Sequence, residues 1–240
     1  MRRKRSWCST LAVSASYGAG QPWRRFLRQV RAASGPVVGA PGRCYSTRMR
    51  IDGIILAAGL SSRMGANKLR LPFRGAPLLR HAVDLVAALP FASRILVTRP
   101  ESVEGMALPP DFRLIFNDEP EKGQSSSLRL ALSQARGDAY LFFTGDQPLL
   151  NRDVVERVLA QAATGCIVVP RHAGRPGNPA LFPAAFRDEL LAVTGDRAGR
   201  VVREAHPDRC LYVEIEDGDA LLDVDTPEEY EALLARVTRV

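Results

Sequence analysis

Arg63 and Lys68 stand at the end of a small-residue run, Leu56-Ala57-Ala58-Gly59-Leu60-Ser61-Ser62-Arg63-Met64-Gly65-Ala66-Asn67-Lys68. Glycine and other small residues after a strand let backbone N–H groups approach phosphate oxygens without a Cβ in the way. Two cationic side chains beside them suit a triphosphate and a pyrophosphate leaving group. The run is neither a Walker A loop, which needs Gly-Lys followed by Ser or Thr, nor G-x-G-x-x-G. An ordinary strand-to-helix turn with surface charges is the competing reading.

Three further clusters carry chemistry. In Thr144-Gly145-Asp146-Gln147-Pro148, an acid directly follows an apolar strand, where a carboxylate oxygen would meet Mg²⁺ at the ligand edge. An Asp before Pro is also a common turn former. In Asp223-Val224-Asp225-Thr226-Pro227, two acids two apart on an extended segment point the same way and could share a cation with Asp146. Asp225 has a second possible role, capping the final helix. Gly123-Gln124-Ser125-Ser126-Ser127 offers backbone and hydroxyl groups that can read a base edge, and helix capping explains one of its serines, not three.

The elements that must position these residues follow from hydrophobic periodicity. Ile51–Ala57 is a continuous apolar run that reads as a buried parallel strand. Leu78, Leu79, Ala82, Val83, Leu85, Val86 and Leu89 recur at helical spacing until Pro90 stops them. Strands are predicted at Arg94–Thr98, Phe112–Phe116, Ala139–Thr144, Ile167–Pro170 and Leu211–Ile215, and helices at Ser126–Ala135, Asn151–Ala163 and near Gly199–Ala205. A last helix starts at Thr226, with Pro227 in its first position and Glu228 and Glu229 in its first turn. This alternation predicts an α/β, doubly wound, mainly parallel sheet with helices on both faces. Ligands in such sheets lie beyond the carboxyl ends of the strands, which puts chemistry after Ala57, after Thr144 and near Asp223.

The charge is unevenly placed. The chain has 240 residues and a formal charge of +7, yet ten of its 33 Lys and Arg lie in residues 1–48, which hold no Asp or Glu. The other 23 face 26 acids, so residues 49–240 are net −3. A basic stripe on the folded domain is what nucleic acid needs, and none is expected. Residues 1–48 are read as a disordered or spurious leader. A transit peptide remains the alternative, since the stretch is rich in Arg, Ser, Ala and Gly. Of the 33 basic residues 30 are Arg, the skew of a GC-rich genome, where upstream DNA can read as open frame. Residues 49–240 form the one expected domain. The spacing of Cys8, Cys44, Cys166 and Cys210 fits no zinc or redox motif, and buried thiols are expected at the last two. No apolar stretch is long enough for a membrane span, so a cytoplasmic protein in a reducing compartment is expected.

The four clusters together resemble the molybdenum cofactor cytidylyltransferases and, more broadly, the cofactor nucleotidyltransferases and sugar-nucleotide pyrophosphorylases. The resemblance covers about Ile51 to Leu234, and the first motif continues through Leu69-Arg70-Leu71-Pro72 to Gly75-Ala76-Pro77-Leu78-Leu79. It implies a Rossmann-like nucleotidyltransferase fold and transfer of CMP from CTP to the terminal phosphate of the molybdopterin–molybdenum cofactor. By resemblance, Leu56, Ala57, Ala58 and Gly59 with Gly123, Ser125, Ser126 and Ser127 bind the nucleotide. Arg63, Lys68 and Asp146 are catalytic, and Asp146 and Asp223 hold Mg²⁺. Gly174-Arg175-Pro176-Gly177-Asn178-Pro179 and Gly195-Asp196-Arg197-Ala198-Gly199-Arg200 look like acceptor-side loops, which assigns Arg175, Gly177, Asn178 and Asp196 to the acceptor. Ala58 points to CTP, because guanylyltransferase relatives usually have Leu-Ala-Gly-Gly. Ala131 departs from the Gly common in relatives. A molybdoenzyme or its maturation chaperone is the implied partner. Use of GTP, another phosphorylated acceptor, or a non-catalytic carrier role are the alternatives. Among the histidines, His81 reads as structural, His172 as a possible phosphate contact, and His206 as a helix-end cation.

Overall fold

The computed structural model describes residues 49–237; the expectations for residues 1–48, including Cys8 and Cys44, lie outside them. The strands are β1 (Ile51–Ala57), β2 (Pro72–Phe73), β3 (Ala76–Pro77), β4 (Ser93–Thr98), β5 (Phe112–Phe116), β6 (Ala139–Thr144), β7 (Ile167–His172), β8 (Arg175–Pro176), β9 (Ala180–Pro183) and β10 (Cys210–Glu214). The helices are α1 (Leu78–Ala87), α2 (Pro100–Val103), α3 (Gln124–Gln134), α4 (Arg152–Leu159), α5 (Arg187–Ala192), α6 (Ala198–Ala205) and α7 (Pro227–Val237).

Both faces of the central strands are apolar, which is why they read as unbroken hydrophobic runs. Ile54, Ile95, Val97, Tyr140 and Phe142 pack on one face with Leu128, Leu132 and Val202 of α3 and α6. Their neighbours Ile55, Leu96, Leu141 and Phe143 point to the other, against Val83 and Val86 of α1 and Val154 and Val158 of α4. Two buried layers on one sheet are the doubly wound arrangement that the alternation of elements predicts. The buried carboxylate of Asp52 is satisfied in place, accepting the N–H groups of Arg136 and Gly137 at 2.8 and 2.7 Å.

The main sheet runs β10-β7-β9-β6-β1-β4-β5, with β8 beside β7. The pairs β1–β4, β1–β6, β4–β5 and β7–β10 are parallel. β9 lies antiparallel between β6 and β7 and has no counterpart in the sequence reading. Its four residues end in Pro183 and follow a proline-rich turn, so they offer no periodicity to read. The helix expected over Asn151–Ala163 is shorter: α4 ends at Leu159, and Ala162–Thr164 forms a separate 3₁₀ turn. Asn151 caps α4 as expected, its side chain accepting the Val154 N–H at 3.1 Å. At the other end of the chain, Phe73 and Leu78 pack with Val224 and Leu233, anchoring α7 against the small β2–β3 hairpin. No helix among the described residues is long and apolar enough to cross a membrane.

Candidate active site

The carboxyl ends of β1 and β6 lie side by side, Leu56 pairing with Thr144, so the loops that follow them share one cleft. Gly145 makes that possible. A Cβ there would sit 3.0–3.1 Å from side-chain atoms of Leu79, Ala57 and Leu69, so a side chain would crowd this junction. The cleft, about 340 Å³, is lined by Leu56, Ala57, Ala58, Gly59, Arg63 and Lys68 from the first loop and by Thr144, Gly145 and Asp146 from the second. Ser61 in the first loop holds a left-handed backbone conformation (φ 53°), which turns the chain sharply between Gly59 and Arg63.

Lys68 is fixed at both ends. Asn67 caps the short 3₁₀ turn Lys68–Arg70 by accepting the Leu69 N–H at 3.2 Å, and its amide donates to Ser102 at 2.9 Å. The Lys68 ammonium lies 2.6 Å from Asp146 Oδ2 and 2.6 Å from Asp225 Oδ1, with only 12% of the side chain exposed. Burial works against that charge, but Asp146 and then Asp225 outweigh it and hold the lysine above its usual range. Arg63 reaches the second oxygen of Asp225 at 2.8 Å. Burial would raise the Asp225 carboxyl, yet Lys68 and Arg63 pull it below the usual carboxylate range.

Asp225 does not cap α7. That role falls to Thr226, whose hydroxyl accepts the Glu229 N–H at 3.3 Å while Glu229 accepts the N–H groups of Asp225 and Thr226. The Asp225 carboxylate is thereby left for the two cations. Asp223 opens instead onto a second cavity. The segment is tied to the second loop by Val224 N–H donating to the Asp146 carbonyl at 3.1 Å, with Val224 itself buried. Asp223 is open to the cavity but hemmed in by protein atoms. That crowding, with Asp146 and Asp225 close by, pushes its carboxyl up to about 7, against the pull of Lys68 and Gln147.

A divalent cation fits Asp146 and Asp223 on this structure's own terms. Asp146 Oδ1 is buried without a hydrogen-bond partner, and Asp223 is a carboxyl whose raised pKa an added positive charge would relieve. Among the described residues there is no cluster of three or more His, Cys, Asp or Glu that could close a metal site. Two carboxylates with room left for phosphate and water are what Mg²⁺ uses in nucleotide sites.

The serine cluster turns out otherwise than expected. Asn117, itself buried, donates to the hydroxyls of Ser126 and Ser127 at 2.8 and 2.9 Å. The Ser126 hydroxyl in turn serves the Glu119 and Gly123 carbonyls, and Ser125 reaches the Lys122 carbonyl. Ser125 and Ser126 therefore hold the loop in shape, and of the three only Ser127 lines the cleft, beside Gly123 and Gln124.

The second cavity, about 320 Å³, shares Leu56, Gln124, Thr144 and Asp196 with the first. Its floor is apolar, from Leu128, Phe142 and Phe182; Gly177 and Asn178 lie on one side and Arg197, Arg200 and Arg203 on the other. Arg175 is not part of it. It sits exposed in the β7–β8 hairpin, paired with His172 across the Ala173–Gly174 turn, and a two-residue turn leaves no length to bring it round. Sequence reasoning missed Gln124 and Arg203. The spacing of Arg197, Arg200 and Arg203, three apart on one helix, was the available signal for the latter. The histidines are structural: His81 bonds the Phe73 carbonyl at 2.9 Å, His172 bonds the Ile215 carbonyl at 2.8 Å under Gly218, and His206 meets Glu189. Cys166 is buried and Cys210 half-buried, its thiol 3.5 Å from the Arg203 carbonyl.

The model for the MobA-like NTP transferase domain matches residues 53–210, a span that contains the cleft's first loop, Asp146 and the arginines of α6. The chain belongs to that family. Within it, the molybdenum cofactor cytidylyltransferase of Escherichia coli (strain K12) is 30% identical over 197 residues, covering 79% of this chain and 98% of the relative. A molybdenum cofactor guanylyltransferase of Shewanella woodyi is 26% identical over 199 residues, covering 80% and 99%. The crystal structure of Rv0371c from Mycobacterium tuberculosis superposes with a TM-score of 0.72 at 26% identity, covering 79% of this chain and 99% of that one. A second structure of Rv0371c, with manganese, gives 0.68 at 25% identity, covering 78% and 98%. The family's sheet is thus the one found here, mostly parallel with helices packed on it, and nucleotidyl transfer is the class of chemistry it performs.

Proposed function

We propose that the protein transfers CMP from CTP to the terminal phosphate of the molybdopterin–molybdenum cofactor, releasing pyrophosphate and giving the cytosine dinucleotide form. The observation that carries this reading is Asp146, held at the end of β6 with one carboxylate oxygen on Lys68 and the other buried without a hydrogen-bond partner, directly beside the phosphate-type loop after β1. The molybdenum cofactor transferases among the relatives, cytidylyl and guanylyl alike, supply the acceptor. Ala58, buried and lining the cleft, supports CTP, because its methyl group narrows the pocket relative to a second glycine. The product would pass to a molybdoenzyme or its maturation chaperone.

In the reaction, an oxygen of the acceptor phosphate bonds to the α-phosphorus of CTP as the bond to the α–β bridging oxygen breaks and pyrophosphate leaves. The acceptor already carries its oxyanion, so no base and no covalent enzyme intermediate is required; positioning and charge neutralisation do the chemistry. Asp146 and Asp223 would hold Mg²⁺, which supplies charge neutralisation at the reacting phosphate. Manganese in the Rv0371c structure supports a divalent ion here. Arg63 and Lys68 meet the triphosphate, and Asp225 holds both side chains in place beforehand. The second cavity, sharing a wall with the first, receives the acceptor with its flat ring system over Phe142 and Phe182 and its charge toward the arginines.

The guanylyltransferase relatives favour a second reading, the same transfer from GTP. Incubating the protein with acceptor, Mg²⁺ and equal CTP, GTP and ATP, and weighing the dinucleotide by mass spectrometry, separates them. A cytosine product is expected. A guanine product in comparable amount removes the cytidylyl assignment and leaves the transferase intact, whereas no pyrophosphate from any nucleotide removes both.

A further inference from the structure

We infer that Asp196 is a positioning residue for the nucleotide: it supplies, from the acceptor side of the site, the missing N-cap of the helix that carries the nucleotide loop. α3 begins at Gln124 after Gly123, a glycine in a left-handed conformation (φ 80°), and no side chain from the preceding loop caps it. Helices usually start on a local Ser, Thr, Asp or Asn whose side chain accepts a first-turn N–H. Here the acceptor comes from 72 residues downstream: Asp196 Oδ1 takes the Gln124 N–H at 3.2 Å, and the neighbouring Gly195 carbonyl takes the Ser125 N–H at 3.0 Å. The two loops touch so closely that a Cβ on Gly123 would collide with Asp196 Oδ1 and the Gly195 carbonyl carbon. Gly123 therefore cannot be exchanged for an ordinary capping residue while the Gly195–Asp196 strap is in place.

The strap is well placed to matter for binding. Gly123, Gln124 and Ser127 line the nucleotide cleft, and Asp196 lines both that cleft and the second cavity. From Asp196 the chain runs through Arg197 into α6, and Arg197, Arg200 and Arg203 line the second cavity. A ligand resting on α6 therefore presses on the same strap that fixes Gln124, and coupling between two such sites is reciprocal. The carboxylate, although it faces a site for a triphosphate, acts through the backbone of α3. The resemblance to acceptor-side loops had assigned Asp196 to the acceptor alone.

The inference rests on a nucleotide occupying the first cleft, and equilibrium binding without acceptor tests it separately from turnover. The full-length protein, Asp196→Ala and Asp196→Asn are titrated with CTP and with GTP in the presence of Mg²⁺, and each is melted. Asn keeps a carbonyl oxygen that can accept the Gln124 N–H, while Ala does not. Asp196→Ala is expected to bind the preferred nucleotide about tenfold more weakly, about 1.4 kcal/mol, and Asp196→Asn within about threefold of the parent. In turnover, Ala should raise KM for the nucleotide while kcat at saturation stays within about threefold. A cap that served only the fold would lower the melting temperature and leave affinity alone. Unchanged affinity in Ala, or Asn as weak as Ala, overturns the role. If the parent binds neither CTP nor GTP, the nucleotidyltransferase reading falls and the inference with it.

Discussion

Asp146 carries two different demands on its two oxygens: one holds Lys68 at 2.6 Å, and the other is buried without a partner. Asp146→Asn keeps the shape and leaves Lys68 an amide oxygen and Asp225, so the fold should lose about 1–3 kcal/mol, several degrees of melting temperature. Turnover should fall by at least about 100-fold, because a neutral amide binds a divalent cation poorly. Pyrophosphate release at saturating Mg²⁺ checks this, and activity within threefold of the parent would count decisively against the assignment. Asp223 adds a pH signature. With its carboxyl raised to about 7, the metal-free protein holds a proton there at lower pH and must release it to bind a cation. Metal affinity should therefore weaken as pH drops below 7, approaching about tenfold per unit for a single proton. Calorimetric titration with Mn²⁺ from pH 8 to 6 should show that slope in the parent and a flatter, weaker curve in Asp223→Asn; equal slopes would take Asp223 out of the site. At Ala58 the expected effect is on selectivity: fit alone is worth about 1–3 kcal/mol. Ala58→Gly should thus lower the CTP-over-GTP ratio in kcat/KM by roughly tenfold at most, read from competition assays. Residue type and spacing single out Arg63, Lys68 and Asp146, and the structure brings all three into one cleft. The division of labour between Asp223 and Asp225 was not legible in the sequence, because it depends on Thr226 and Glu229 taking over the cap.

The elements were legible where apolar periodicity was strong and illegible where hydrogen bonding decided the outcome. β1, β4 and β6 announce themselves because both of their faces are buried, whereas β9 is four residues long and is recruited by its neighbours on either side. The serines of α3 show the other limit. A sequence gives a hydroxyl's capacity to bond but not its direction, and here Ser125 and Ser126 spend theirs on loop carbonyls while Asn117 donates to Ser126 and Ser127. Asn117 also accepts the Glu119 N–H at 3.0 Å, so one buried amide ties the β5 exit to the start of α3. Asn117→Ala strands those groups in a buried place, a loss of about 1–3 kcal/mol. The expected result is a melting temperature lower by several degrees together with weaker nucleotide binding, since Gly123, Gln124 and Ser127 ride on the same loop. Melting and CTP titration of the variant read both. A lower melting point with unaltered affinity would separate the loop's order from the nucleotide site.

At the scale of the whole molecule, the described residues 49–237 hold the sheet and both cavities, and the charge of residues 49–240 is not the charge of the chain. Ten basic residues precede Met49, and the remainder is net −3, with Arg63, Lys68 and the arginines of α6 gathered where phosphates are expected. The start of the domain is itself well anchored. Ile51 begins β1 in register with Ala139 of β6, and the Arg50 backbone meets Asp138 through its N–H at 2.7 Å and through its carbonyl. The described residues 49–237 pair the sheet and line both cavities. A chain beginning at Met49 is therefore expected to melt within about two degrees of the full-length protein and to keep kcat/KM for the nucleotide within about twofold. Removing ten positive charges should act only through long-range attraction of the triphosphate, which salt near 0.15 M screens over about 8 Å. The comparison is best made at two ionic strengths. A truncated protein that binds CTP more weakly only at low salt would show steering by the distant charges. A drop of many degrees on truncation, at either salt, would show that residues 1–48 pack on the domain and would overturn the boundary at Met49.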